Sequence, residues 1–94
     1  MRITLVQAKR VANKLNINID TVPLAVFRDA MMIELEHGKR YGGVTNVTND
    51  NLLLTGKIAL AHLLEYPDYY KRLDRMEKQA EKYWSDKKKP KVLN

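Results

Sequence analysis

No cysteine occurs in this 94-residue chain, which excludes a disulfide framework, a thiol nucleophile and a thiolate metal site together. Any metal must be held by histidine and carboxylate, and there are only two histidines, His37 and His62. Aromatic residues make up 7% of the chain, so its core has to be built from aliphatic side chains and methionine. No apolar run approaches the ~20 residues that span a bilayer, and the residues after Met1 form an amphipathic segment rather than the apolar core of a signal peptide. The expectation is an intracellular protein without a membrane span. A chain this short closes one modest core and leaves little material for a walled catalytic cleft.

The sequence does contain helical periodicity and positive charge. Thr4-x-x-Gln7 has the spacing of a capping box, and Ala8, Val11, Ala12 and Leu15 follow on one face, predicting a helix near residues 5–15. Asn16 to Asp20 alternates but has no second alternating run to pair with, so it reads as a connector. Asp20, Thr21 and Pro23 are helix-start residues, and Leu24, Phe27, Met31 and Leu35 mark a buried second helix over residues 23–37. Gly38 is expected to end it in a left-handed conformation. Gly38 to Asn51, rich in Gly, Thr and Asn, reads as a long ordered loop. A third helix over 52–65, with Asp50 or Asn51 as its cap, carries Leu54, Ile58, Ala61 and Leu64 on one face and Leu53, Leu60 and Leu63 beside it, so it is apolar almost all round. Tyr66-Pro67 breaks the chain, and a fourth helix follows over 67–85 with Tyr70, Leu73, Met76 and Ala80 on its apolar side. The fold class is therefore all-α, a compact bundle of about four helices in a domain spanning residues 1–85, followed by a basic tail at 86–94.

The net charge of +6 favours an anionic partner, and four lysines against one aspartate place half of it in the last nine residues. Trp84, Lys87, Lys88, Lys89 and Lys91 are candidate interaction residues, with other protein chains as the expected partners. Nucleic acid is the other anionic partner, but Lys9, Arg10, Lys14, Lys39, Arg40, Lys71, Arg72 and Arg75 are spread over several elements rather than concentrated on one recognition helix.

Two polar pairs stand out against the apolar helices. Glu34 and His37 are three residues apart on the second helix, and His62 and Glu65 three apart on the third, so each pair leaves one side of its helix. Antiparallel packing would bring the pairs together. Glu34, His37, His62 and Glu65 would then suit Zn²⁺, or Fe or Mn with added water, in partial likeness to helix-bundle di-iron sites. The same groups also make sense without an ion, as a hydrogen-bonded polar plug that orders the loop. No cofactor is required by that reading. His62 with Glu65, or His37 with Glu36, are the available acid–base pairs, but no nucleophile motif accompanies them, so an enzyme is not expected.

Glu34-Leu-Glu-His-Gly38, Thr45-Asn-Val-Thr-Asn-Asp50 and Ile58-Ala-Leu-Ala-His-Leu-Leu-Glu-Tyr-Pro-Asp-Tyr-Tyr70 resemble a small family of unknown function found in bacteria, phages and large DNA viruses. The chain departs from that pattern at Leu52, where proline is expected, and at Pro23, where an acidic residue is expected. The resemblance implies that the polar residues act as a unit and points to a viral setting, without supplying an activity. The resulting expectation is a non-enzymatic helical interaction or structural module, a minor component of a viral or phage particle; the alternative is a metal-binding or nucleic-acid-binding accessory protein.

Overall fold

The computed structural model describes residues 1–94 and is all-helical. Four helices, α1 (Leu5–Lys14), α2 (Leu24–Glu34), α3 (Leu52–Glu65) and α4 (Tyr69–Trp84), are joined by two short 3₁₀ turns at Leu35–His37 and Lys39–Tyr41 within the α2–α3 connection. No helix is long and apolar enough to cross a membrane.

Both halves of the Thr4–Gln7 capping box form: the Gln7 N–H donates to Thr4 Oγ1 at 3.1 Å and the Thr4 N–H to Gln7 Oε1 at 2.9 Å. α1 buries Ala8, Val11 and Ala12 against α2 and α3, as its spacing requires. α2 starts differently from its sequence expectation. Pro23 is the N-cap residue rather than the first helical one, and neither Asp20 nor Thr21 caps the helix through its side chain. Its α-helical part stops at Glu34, and the chain tightens into 3₁₀ geometry through His37.

Gly38 is also used differently. Its φ of −100° lies outside the left-handed region, and its role is steric: a Cβ there would collide with Asp50 Oδ1, which accepts the Lys39 N–H at 3.0 Å. Within this loop the left-handed positions are Gly42, Asn49 and Asp50, residue types that tolerate positive φ. The loop returns to His37, whose backbone carbonyl accepts the N–H groups of Val47 at 2.7 Å and Thr48 at 3.1 Å. Backbone groups, not the imidazole rings, thus tie the loop down.

The buried face of α3 is not the leucine line. Thr55, Gly56, Ala59 and Leu63 are buried, while Leu54 and Leu64 are exposed. A helix apolar on all sides carries no directional signal, so close approach decides the face, and small residues permit it. Asn51 caps the helix through its side chain, accepting the Leu54 N–H at 3.0 Å. At Gly56 any Cβ would collide with Val11 Cγ1 and meet Phe27 Cζ at 3.4 Å. Val11 is branched at Cβ and buried, so it cannot swing aside. Gly56→Ala is expected to destabilise the domain by about 1–3 kcal/mol, measured by chemical denaturation.

The core that results comprises Ile3, Ala8, Val11, Ala12, Phe27, Ala30, Met31, Leu35, Ala59 and Leu63. It lies between α1, α2 and α3. None of its members comes from α4, which has no fully buried residue and meets the body through α3 and through the half-buried Tyr70. The 43 Å long axis of the molecule exceeds its other extents of 28 and 22 Å.

Candidate functional site

The packing of α2 on α3 brings the two polar pairs together on one carboxylate. Glu34, at the last α-helical position of α2, is 2% exposed. Tyr70, in the first turn of α4, donates its hydroxyl to Glu34 Oε2 at 3.1 Å. His62 Nε2 lies 3.6 Å from the same oxygen, and His37 Nε2 lies 3.7 Å from Oε1. Glu36 Oε1 stands 3.6 Å from His37 Nε2. Glu65 faces the other nitrogen of His62, 3.8 Å from Nδ1. Of the four residues marked in the sequence, Glu34, His37 and His62 thus converge directly, whereas Glu65 stands behind the His62 ring. Glu36 takes the place expected of Glu65: one ligand atom from each of Glu34, Glu36 and His37 lies within 4.8 Å of the others.

The aromatic residues after Pro67 complete the surroundings. Tyr69 stacks on His62, with centroids 4.1 Å apart and planes 12° apart, and Tyr70 meets the same ring edge-on at 6.3 Å. Tyr70 was legible as a helix-edge core residue, but its bond to Glu34 was not, because nothing in the spacing says where a residue 36 positions away will land.

Burial is the largest influence on Glu34 and pushes its carboxyl above the ordinary value, against the opposing pull of the Tyr70 hydroxyl and the two histidines. Burial likewise raises Tyr70, and the adjacent Glu34 charge adds to the effect, so this phenol stays protonated as a donor. Glu34 is thus held at a desolvation cost to its charged form, with one direct hydrogen bond from the chain.

A second feature lies on α4. Leu73, Met76, Ala80 and Tyr83 recur at spacings of three, four and three. Met76 and Tyr83 are 53% and 58% exposed, and Trp84 is half-buried. Beside them a shallow cleft of about 460 Å³ opens between Tyr41 and the Ala80–Trp84 edge of α4, with Lys89 on its rim. Lys87 lies 4.1 Å from the Tyr83 ring centroid and donates to the Tyr83 carbonyl at 2.9 Å. Lys88, Lys89 and Lys91 follow in a tail without regular structure whose every residue is exposed.

The model of a family of proteins of unknown function, DUF5661, matches residues 8–79. The chain belongs to that family. The DUF5661 match takes in the whole polar centre, from Glu34 to Tyr70, and the first part of α4; Trp84 and the lysine tail lie beyond it. Comparison with curated proteins and with solved structures finds no match.

Proposed function

We propose that the chain is a non-enzymatic helical interaction module whose α4 and basic tail seat on an acidic protein partner. The observation that carries this reading is α4 itself: sixteen residues with an apolar seam, none of them buried. Anchors at these spacings are those of a helix laid into an apolar groove. Charge selects the partner. Residues 69–94 contain nine lysines and arginines against four acidic residues, which accounts for five of the six net positive charges. A second copy of the chain would oppose two such surfaces, so an acidic groove is the better fit. Val92 and Leu93, 90% and 60% exposed, extend the apolar contact beyond the lysines. We take a viral or phage particle as the setting of this contact, on the sequence resemblance to a family expected in bacteria, phages and large DNA viruses.

The test is quantitative capture by the tagged full chain in its own host. It compares wild type, Met76→Glu/Tyr83→Glu and a chain lacking residues 86–94, followed by reconstitution with the purified partner. An acidic protein lost from both variants and rebound by wild type in a salt-sensitive manner is the expected result. Unchanged capture by both variants, recovery of nucleic acid alone, or a dimer as the only complex would overturn the reading.

A further inference from the structure

The polar centre has a property that a purely structural plug lacks. A carboxylate buried only to accept the Tyr70 hydroxyl would be served equally well by a neutral amide, without the desolvation cost of a charge. Glu34 instead keeps an acid whose second oxygen, Oε1, faces His37 Nε2 at 3.7 Å, too far for a hydrogen bond. The Glu36–His37 and Glu34–His62 separations, both 3.6 Å, are similarly too long for direct bonds. They lie close to the edge of a coordination tetrahedron, about 3.4 Å for ligand bonds of about 2.0–2.1 Å. Glu34, Glu36 and His37 can each place one donor atom within 4.8 Å of the others, as around something small that lies between them, while His62 faces the second oxygen of Glu34.

We infer that Glu34, Glu36 and His37 bind one divalent first-row transition-metal ion, with His62 held beside the second oxygen of Glu34. An imidazole and two carboxylates without a thiolate suit Zn²⁺, Fe²⁺ or Mn²⁺ better than Ca²⁺ or Mg²⁺, which prefer all-oxygen shells. Glu65, at 3.8 Å from His62 Nδ1, and Glu34 Oε2, at 3.6 Å from Nε2, hold that ring between two carboxylates behind the ligand set. The stacked Tyr69 ring fixes the plane of His62. The ion would brace the end of α2 where the loop is anchored on the His37 carbonyl, with His62 of α3 and Tyr70 of α4 reaching the same Glu34 carboxylate.

The test is calorimetric titration of the chelator-stripped full chain with Zn²⁺ alone, and optical titration with Co²⁺ alone, for wild type and single variants. One Zn²⁺ per chain is expected, and Co²⁺ added alone should give the visible absorption bands of a four- or five-coordinate ion, bleached when Zn²⁺ replaces it. Glu34→Gln and His37→Gln should lower the affinity at least ~10- to 100-fold. Glu36→Gln, at a side chain 42% exposed, changes the ligand set without disturbing the core and should show the same loss. Asp74→Asn, on the outer face of α4, should bind as wild type does. Absence of stoichiometric binding, or an affinity unchanged in Glu36→Gln and His37→Gln, would overturn the assignment whatever the folding of the Glu34 variant.

Discussion

Phe27→Ala should lower the unfolding free energy by about 3–5 kcal/mol, the largest loss expected from any single truncation in the chain. Phe27 is fully buried, and its ring tip comes within 3.4 Å of where a Cβ on Gly56 would stand, beside the Val11 methyl that occupies that space. A domain of this length has a total stability of about 5–14 kcal/mol, so the loss takes a large part of it. Relaxation is limited, because the neighbours able to move inward are Val11 and the backbone of α3, both already in close contact. Urea denaturation followed by far-UV circular dichroism measures the change directly. A loss below about 1 kcal/mol would mean that the α2–α3 seam is looser than described here.

Glu34 supplies the second large effect, and its two substitutions should diverge. Glu34→Ala removes the acceptor of a buried tyrosine hydroxyl and leaves a void, at a cost of about 1–3 kcal/mol for the unpaired donor. Glu34→Gln keeps an oxygen for Tyr70 and removes the charge that burial disfavours, so its stability at neutral pH should equal or exceed that of wild type. Thermal melts of the metal-free proteins, run side by side, give the comparison. A strongly destabilised Gln variant would show that the charge itself supports the fold through the two histidines.

Residues whose role is local were readable in the sequence, and residues whose role depends on distant neighbours were not. Thr4 with Gln7, Asn51 before α3 and Tyr66-Pro67 between α3 and α4 act within a few residues of themselves, and each does what its type and spacing predict. The face of α3 was misread because its leucines surround the helix, and the choice fell to Thr55, Gly56 and Ala59, whose small size matters only when α1 and α2 are in place. Gly38 was given a conformational role when its constraint is the Asp50 side chain twelve residues on. In the polar centre, helix spacing put Glu34 with His37 and His62 with Glu65. Which carboxylate would lie between the two rings depended on the packing of α2 against α3, and Tyr70 entered the centre from α4, while Glu36 stands beside His37 as their adjacency in sequence suggests.

The amphipathic α4 was recognisable from its period, but a period does not say whether the apolar side finds a partner inside the chain. Past Tyr70 this helix is supported mainly by its own surface, including ion pairs of 2.9 Å between Arg72 and Asp68 and between Lys78 and Asp74. Such pairs stabilise an isolated helix by only about 0.2–0.5 kcal/mol each, and sixteen residues are near the limit at which a helix persists without packing. Amide hydrogen exchange of the isolated full chain, read residue by residue, tests whether α4 is a free docking arm. The account predicts exchange from Leu73 to Trp84 governed by local opening and orders of magnitude faster than at Ala30, Met31 and Ala59, which open only on global unfolding. Protection along α4 equal to that of α2 and α3 would contradict it, because the helix would then belong to the closed core and have no face to offer a partner.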